Sequence, residues 1–340
     1  MSDNQTAAPV KKPYVSKVGL LKRQRAAMPK PINQDKRARR VVDPMLHEDL
    51  YGYHVESALG SGLHGRCYLA SKIGKRSEEI CLKVVNDPEH AKNEAKHLQM
   101  AKDLKIVPNL IFAGVFKGES VIGMKLAHDS IGTYFSAIDW ISPHKFDDET
   151  TLRVLLQCLD GLKQIHALGI VHMDIKADNI LVTPPYGCSR DVSLQIADFG
   201  MSTRVEAVDG KIQVVEGQPE YFIREMVHSS PTVHLRGGVH GFLEDLHQMA
   251  FLGLKMSGFE LSSIKTIAGR LDFKKKILSR PAENMPERTE WMAPFFEELK
   301  NQNPVDINYD ALKMALRSLA PPSFKKELRL RKHEQTMYLE

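Results

Sequence analysis

The stretch that decides the fold is Ile170-Val171-His172-Met173-Asp174-Ile175-Lys176-Ala177-Asp178-Asn179-Ile180-Leu181-Val182. Two apolar segments typical of buried strands flank a short polar loop. Within that loop, Asp174 is suited to accept a hydrogen bond from a hydroxyl, Lys176 to neutralise a phosphoryl group, and Asn179 to hold a magnesium ion. The spacing is highly specific and indicates phosphoryl-transfer chemistry.

Two further polar residues extend this pattern. Asp198 ends the next predicted strand, in Ile196-Ala197-Asp198-Phe199-Gly200, and hard cations prefer carboxylate oxygens, so it is the predicted main magnesium ligand. Lys83 lies in an otherwise apolar strand, Ile80-Cys81-Leu82-Lys83. It is either an edge-strand lysine that points to solvent or a contact to the α- and β-phosphates of a nucleotide. Glu94, on the following helix, is available to orient it.

A glycine-rich segment between two predicted strands reads Leu59-Gly60-Ser61-Gly62-Leu63-His64-Gly65-Arg66-Cys67. Glycines let a turn close over phosphates, which a chain bearing Cβ atoms cannot approach so nearly. The pattern alone is weak evidence, because plain hairpins and dinucleotide folds use it too, although a helix follows it in dinucleotide folds. The neighbouring motifs must therefore decide its role.

Taken in order from Gly60 to Asp245, these motifs resemble the signature set of the eukaryotic protein kinase family. The resemblance implies an α+β, bilobal kinase fold with a small β-rich N-lobe, a mainly α-helical C-lobe, and ATP in the cleft between them. It implies that Asp245 anchors the catalytic loop. It also implies a substrate-binding segment that runs from Asp198 to about Glu225.

The site that follows from the motifs and the resemblance has three parts. The catalytic residues are Asp174, Lys176 and Lys83, and the ligands of Mg²⁺ are Asn179 and Asp198. The ATP-binding residues are Leu59, Gly60, Ser61, Gly62, Leu63, His64, Gly65, Arg66, Cys67, Lys83, Glu94, Met124, Leu126 and Leu181. Because side chains alternate along strands, Cys67 and Cys81 are expected on one face, where the resemblance puts the residues that cover the adenine.

Within the family, the segment Val121–Ala127 followed by Ser130-Ile131 resembles the hinge of the casein kinase and vaccinia-related kinase group. Met124 is then the gatekeeper. The octet His172–Asn179 is most similar to the vaccinia-related branch, in which the usual arginine before the catalytic aspartate is also missing.

Three residues depart from the family pattern. Met173 replaces an arginine that in many kinases binds a phosphate on the activation segment. Gln218 stands where a threonine usually meets the catalytic loop, and Arg224 replaces the usual proline before Glu225. These changes motivate an alternative to an active enzyme, namely a nucleotide-binding pseudokinase that acts as a scaffold.

An active serine/threonine protein kinase is the favoured function. Serine and threonine are preferred to tyrosine as acceptors because Lys176 lies two residues after Asp174. Retention of Lys83, Asp174, Asn179 and Asp198 argues against the scaffold. Phosphorylation of a small molecule ranks last, since such enzymes do not usually combine this glycine loop, Lys176 and the segment 217–225. The expected partners are therefore protein substrates.

Hydrophobic periodicity sets the domain organisation. Strands are predicted at Tyr53–Leu59, Arg66–Ser71, Glu79–Val85, Leu110–Phe116 and Ser120–Met124. A helix is predicted from the Asp87-Pro88 cap to about Leu104, and helices dominate from residue 148 to a last one at Asp306–Leu319. The predicted divisions are a basic disordered tail (1–45), the N-lobe and hinge (46–127), the C-lobe (128–320) and a basic C-terminal extension (321–340).

The charge is concentrated in the tail. Residues 1–40 hold eleven Lys/Arg against Asp3 and Asp35, whereas the whole chain of 340 residues has a net charge of +5. The basic clusters at 22–25 and 36–40 resemble a two-part nuclear import signal, so a nuclear protein is expected, or otherwise a cytoplasmic one. Nucleic acid or chromatin is a further possible partner of the tail, and a plain solvated charge run is the alternative.

Other classes of protein are disfavoured. No apolar run approaches the roughly 18 residues of a membrane helix, and the polar start lacks the centre of a secretory signal, so no membrane contact is expected. The four cysteines of the chain, Cys67, Cys81, Cys158 and Cys188, are too widely spaced to indicate a disulfide framework or a zinc site.

Overall fold

The computed structural model describes residues 43–62, 65–137, 146–183, 191–216, 241–333 and 336–340. A sheet-rich lobe precedes a mainly helical lobe along the chain. This is the bilobal α+β architecture that the sequence predicts. Most of the basic tail, residues 1–42, lies outside the described ranges.

The small lobe is built on one antiparallel sheet of six strands in the order β1-β2-β3-β4-β6-β5. Its strands are β1 Asp49–Leu50, β2 Tyr53–Gly62, β3 Gly65–Lys72, β4 Lys75–Val85, β5 Leu110–Phe116 and β6 Glu119–Lys125. All five predicted strands are present. β2 runs past its predicted end at Leu59, because Gly60 and Gly62 continue the pairing, opposite Cys67 and Gly65.

Helix α1 spans Pro88–Met100 and contacts strands β4, β5 and β6 of the sheet. Asp87 caps its first turn, since the carboxylate accepts from Glu89 N at 2.8 Å, and Pro88 takes the first helical position. The predicted end at about Leu104 is wrong by one turn. Leu104 N donates to Ala101 O, three residues back, and this turn leads the chain out of the helix toward β5.

The outer face of the small sheet is covered by the residues that precede β1. Met45 is 1% exposed and packs with Leu50, Val55 and Tyr68. The hydroxyl of Tyr68 donates to Asp43 Oδ2 at 2.8 Å. The folded lobe therefore includes residues 43–45, which the sequence assigned to the tail, because their side chains complete this apolar layer.

Helices dominate the large lobe. They are α2 Ile131–Ala137, α3 Asp148–His166, α4 Phe242–Met256, α5 Ile267–Ser279, α6 Pro281–Asn284, α7 Ala293–Lys300 and α8 Tyr309–Ser318, with 3-10 turns at Ala177–Asn179, Phe199–Met201, Leu261–Ser263 and Glu290–Met292. Helix α3 packs against α4, and its apolar side chains lie in the main core, namely Leu152, Leu155, Leu159, Leu162 and Ile165. Within the described ranges no helix combines the length and apolar character needed to cross a membrane.

Six short strands of the large lobe lie between residues 170 and 216. They are β7 Ile170–Val171, β8 Ile180–Val182, β9 Asp191–Val192, β10 Leu194–Ile196, β11 Thr203–Val208 and β12 Lys211–Glu216. β8 pairs with β10, and β11 pairs with both β7 and β12. The loop 172–179 and the segment 197–202 are thus held between paired strands.

The predicted substrate-binding segment, from Asp198 to about Glu225, contains the hairpin β11–β12. Asp209 and Gly210 at its tip have φ of 50° and 70°, and positive φ at both central residues is the geometry of a tight hairpin turn. An Asp-Gly pair between Val208 and Lys211 is a recognisable hairpin signal, so the sequence contained this information.

The C-terminal extension is part of the folded lobe. Strands β13 Leu328–His333 and β14 Thr336–Leu339 pair with each other, and Leu328 of β13 lies opposite Val192 of β9. Leu328 and Leu339 are buried in the main core. The extension therefore adds an apolar layer to the C-lobe beneath its basic side chains.

We expect Met45→Ala to lower the free energy of unfolding by about 2–5 kcal/mol, because it leaves a cavity against the outer sheet face. Chemical denaturation measures the change. Met314→Ala is the matched control, since Met314 is 66% exposed and its loss should change stability by only about 0.5 kcal/mol. Equal effects in the two variants would show that residues 43–45 do not belong to the folded lobe.

Candidate active site

The glycine-rich hairpin leaves open space beside two of its glycines. A Cβ atom added at Gly60 or Gly62 would meet no atom within 4 Å, so packing within the protein does not demand glycine there. Gly65 is different, because its Cβ would lie 2.1 Å from Val84 O. Leu63 and His64 at the tip lie outside the described residues.

Arg66 does not direct its side chain into the cleft. Its guanidinium pairs with Glu119 and lies 3.5 Å from Asp43 on the outer face of the sheet. Side chains alternate along β3, so Arg66 and Cys67 face opposite sides. The Arg66 side chain is therefore directed away from Cys67, and a role of Arg66 among the ATP-binding residues stays a prediction.

Cys67 and Cys81 share the cleft face, as the alternation predicted. Cys67 lies directly opposite Lys83, and Cys81 lies two residues before it on β4. A hydrogen bond between the two thiols lowers the pKa of Cys67 and raises the pKa of Cys81. Met124, 7% exposed, pairs with Cys81 from β6.

Two further residues of the predicted nucleotide site lie on or beside described strands. Leu126 follows β6, and Leu181 lies on β8 and bridges to Ser130; both are half-buried. Ser61 and Leu59 belong to β2. Cys158 is buried in α3 and is not one of the predicted nucleotide-site residues. Cys188 lies outside the described ranges.

A buried charge cluster joins β4, α1 and the large lobe. Lys83 Nζ lies 2.7 Å from Glu94 Oε2 and 2.7 Å from Asp198 Oδ1. The side chains of Lys83 and Glu94 are 8% and 1% exposed, whereas that of Asp198 is 21% exposed. The edge-strand interpretation of Lys83 is thus excluded, and the expected pairing with Glu94 is present.

Burial and charge act against each other in this cluster. Burial alone would lower the pKa of Lys83, but the two carboxylates outweigh it and raise that pKa above its usual range. Burial raises the pKa of Glu94 to about 7, with Asp198 acting in the same direction and Lys83 opposing it. Lys83 is therefore protonated at neutral pH and holds the more exposed carboxylate of Asp198 at the cleft.

Asp198 adopts a left-handed backbone, with φ of 70° and ψ of 70°, and a 3-10 turn follows it. Asn93 on α1 holds this turn. Its carboxamide donates to Phe199 O at 3.3 Å, Gly200 O at 3.1 Å and Ser202 O at 2.8 Å. His97, one turn later, bonds Ser202 Oγ at 2.6 Å through Nδ1. Sequence reasoning missed both residues, because no local pattern indicates a contact to a turn more than a hundred positions away.

The second polar cluster lies on the catalytic loop. Asp174 Oδ2 accepts from Lys176 Nζ at 2.6 Å and from Asn179 Nδ2 at 2.9 Å, and Asn179 Nδ2 also donates to Asp174 O at 2.8 Å. Burial raises the pKa of Asp174, while the charge of Lys176 opposes the shift. Since Nδ2 of Asn179 is directed at Asp174, its Oδ1 is the atom left to face a cation.

Asp245 anchors this loop from α4, as the resemblance implied. Its carboxylate is fully buried and accepts from His172 N at 2.7 Å and Met173 N at 2.7 Å. His166 Nε2 lies 2.8 Å from the same carboxylate. The His172 ring packs edge-on against Phe199, with centroids 4.8 Å apart, which couples the catalytic loop to the turn after Asp198.

Met173 lies in an apolar cluster. It is 1% exposed, has φ of 71°, and packs with Val171, Val205 and Ile212. Val205 and Ile212 come from β11 and β12. The position at which many kinases bind a phosphate through arginine therefore holds the β11–β12 hairpin by hydrophobic contact.

Parts of the predicted site lie outside the described residues, namely Gln218, Arg224 and the segment end 217–225. In the part of the chain that the structure describes, no group of three or more His, Cys, Asp or Glu side chains is arranged to hold a metal ion by itself. Magnesium commonly binds through one or two carboxylates together with substrate phosphates, so this finding is compatible with Asp198 and Asn179 as ligands.

Comparisons with known proteins place this geometry in context. Serine/threonine-protein kinase pakE of Dictyostelium discoideum is 27% identical over 184 residues, which cover 53% of this chain and 19% of that protein. The serine/threonine-protein kinase H1 homolog of Pinctada fucata is 32% identical over 117 residues, covering 34% of this chain and 27% of that protein. The chain thus spans less than a third of the length of either relative.

A solved structure of vaccinia related kinase 3 has the same fold. The two structures align with a TM-score of 0.60 at 20% sequence identity, and the alignment covers 78% of this chain and 86% of the chain of vaccinia related kinase 3. The family model described as protein kinase domain matches residues 53–235, more than half of the chain. With both polar clusters and the bilobal fold in place, the chain belongs to the protein kinase family.

Proposed function

We propose that this protein is a serine/threonine protein kinase that transfers the γ-phosphate of ATP to hydroxyl groups of other proteins. One observation carries the proposal: the clusters Lys83–Glu94–Asp198 and Asp174–Lys176–Asn179 are both complete. Lys176 follows Asp174 by two residues, and the relatives described above are named serine/threonine-protein kinases.

Asp174 is the group that receives the substrate hydroxyl. The hydroxyl oxygen forms a bond to the γ-phosphorus, the bond from that phosphorus to the bridging oxygen of ADP breaks, and the hydroxyl proton passes to Asp174. Lys176, whose ammonium lies 2.6 Å from Asp174 Oδ2, neutralises charge on the phosphoryl group. Lys83, held by Glu94, binds the non-transferred phosphates.

The residues of the cleft fit ATP and magnesium. The open space beside Gly60 and Gly62 suits close approach of phosphates. Packing within the protein gives no other reason for glycine at these two positions. The Asp198 carboxylate and Asn179 Oδ1 are the hard oxygen donors that magnesium prefers. When bound, the ion neutralises phosphate charge, while Lys83 and Asn93 keep Asp198 and its turn in position.

A pseudokinase scaffold is the second candidate, and Met173 is the described residue that motivates it. The packing of Met173 weakens the argument for a scaffold. Where many kinases have an arginine, this chain has a buried methionine that makes hydrophobic contacts instead. Incubation with labelled ATP, magnesium and a panel of basic and acidic proteins separates the two. Label transfer supports the kinase, and nucleotide binding without transfer supports the scaffold.

We expect Asp174→Asn to lower the phosphotransfer rate by about 10²- to 10⁴-fold, because the amide cannot accept the hydroxyl proton. ATP affinity, measured by titration, should stay unchanged, since Asp174 acts on the acceptor. Asp178→Asn is the matched control, as it alters an exposed aspartate on the same loop and should keep the rate. Equal activity of Asp174→Asn and the unmodified protein would refute the assignment.

Activity should need no phosphate on residues 201–216, because Met173 offers no charge to bind one. Phosphatase treatment is therefore expected to leave the rate unchanged.

Met173→Arg should lower the free energy of unfolding by about 2 kcal/mol or more, since it puts a charge into the apolar cluster. Thermal unfolding measures this against Met314→Arg at an exposed position. A large loss of rate on dephosphorylation, or a stable Met173→Arg protein, would contradict this account.

The basic clusters of the tail support nuclear import and contact with nucleic acid as further proposals. Alanine at Lys22, Arg23 and Arg25 should reduce nuclear enrichment of a fluorescent fusion. Alanine at Lys11, Lys12 and Lys17 removes the same charge outside the clusters and serves as the control. An even distribution of the unmodified fusion, or the same effect of both triple variants, would indicate a plain charged tail.

A further inference from the structure

Gln248 is a buried polar residue that the proposed chemistry leaves unused. It lies on α4, one turn after Glu244 and three residues after Asp245, and its exposure is 2%. Helical spacing puts these three side chains on the face of α4 that meets the catalytic loop. Asp245 already binds that loop, and Gln248 adds contacts of another kind.

The carboxamide of Gln248 contacts the backbone on both sides of Asp174. Its Oε1 accepts from Ile175 N at 2.5 Å, and its Nε2 donates to Met173 O at 2.9 Å. Glu244 Oε1 accepts from the same Nε2 at 2.8 Å. A flipped amide would set its oxygen against two acceptors, so Glu244 fixes the orientation in which Gln248 can serve both neighbours of Asp174.

We propose that Gln248 is a positioning residue for phosphotransfer, which fixes the direction of the Asp174 carboxylate by clamping the peptides before and after it. The proposal rests on the function proposed above. Met173 is left-handed, with φ of 71°, and its N–H is bound by Asp245 while its carbonyl is bound by Gln248. Helix α4 thereby holds an otherwise disfavoured backbone from the core side.

This geometry predicts a particular kinetic defect. Catalytic groups tolerate little misplacement, so loss of the clamp should lower kcat. Gln248 makes no contact with Lys83 or Asp198, the residues proposed to bind the nucleotide and its metal ion, so KM for ATP should stay unchanged. A residue that only stabilised the fold would lower the fraction of folded protein, so kcat is expressed per nucleotide-binding site counted by titration. On that basis a purely structural residue would leave kcat unchanged.

The test compares Gln248→Met with Gln302→Met. Gln302 makes the same kind of bonds elsewhere in the C-lobe: Nε2 donates to Glu298 O at 3.2 Å, and Oε1 accepts from Asn308 N at 2.7 Å. Both substitutions keep an unbranched side chain and remove a buried carboxamide. Gln248→Ala is the second variant if the methionine variant does not fold, since alanine is a good helix former.

We expect Gln248→Met to lower kcat by about tenfold or more, with KM for ATP within about twofold. In hydrogen exchange by mass spectrometry, the peptide that contains Met173, Asp174 and Ile175 should exchange faster, because Ile175 N–H loses its acceptor. Gln302→Met should lower the melting temperature but change neither kcat nor exchange of that peptide.

Each alternative outcome is informative. Unchanged kcat and exchange in Gln248→Met would overturn the positioning role while the kinase function stands. Equal loss of kcat in both glutamine variants would reduce Gln248 to a structural residue and overturn it too. Absence of phosphotransfer by the unmodified chain would refute the proposed function instead, and exchange at Ile175 would still decide whether Gln248 holds the loop.

Discussion

The buried carboxylate of Asp245 is the contact on which the active-site geometry depends. A charge that is fully buried is costly unless donors surround it, and here the N–H groups of His172 and Met173 and the ring of His166 do so. The cost and its compensation come from different elements. Helix α4 supplies the carboxylate and the catalytic loop supplies two N–H donors, so the hydrogen bonds of each are complete only when both are in place. The packing of α4 in the core therefore determines where Asp174 lies.

A second charged contact carries this order across the cleft. Lys83 belongs to the small sheet, Glu94 to α1, and Asp198 to the large lobe, so one ammonium ties three separate parts of the chain. The contact between His172 and Phe199 then joins the turn after Asp198 to the catalytic loop. The two polar clusters are therefore held in one connected frame, although no residue belongs to both.

Local motifs predicted the polar groups well, because their chemistry restricts residue type and spacing. Lys83, Glu94 and Asp198 meet as the motifs indicated, and the alternation of β3 and β4 correctly put Cys67 and Cys81 on one face. The same alternation, applied to Arg66, would have put its side chain on the outer face. Its place among the predicted ATP-binding residues rests on motif position alone.

Tertiary contacts set the limit of what the sequence revealed. Met45 was assigned to the tail together with the basic residues before it, and only the outer face of the sheet explains its burial. The β11–β12 hairpin had a readable signal in Asp209-Gly210, and Gln248 had one in its spacing from Asp245. Asn93 had none, since its partners are backbone carbonyls of a remote turn and carbonyls leave no mark in a sequence.

Those carbonyls explain how the chain keeps two unfavourable conformations. Met173 and Asp198 are both left-handed without being glycine, and each such residue costs about 1–3 kcal/mol. Gln248 makes two bonds to the backbone around Met173, and the two N–H groups of Asn93 Nδ2 are shared among three carbonyl oxygens of the turn after Asp198. At about 1 kcal/mol for each buried bond, the two carboxamides offset the strain on the same scale. Because their bonds go to backbone groups, the balance needs neither a phosphate nor a particular side chain in the activation segment.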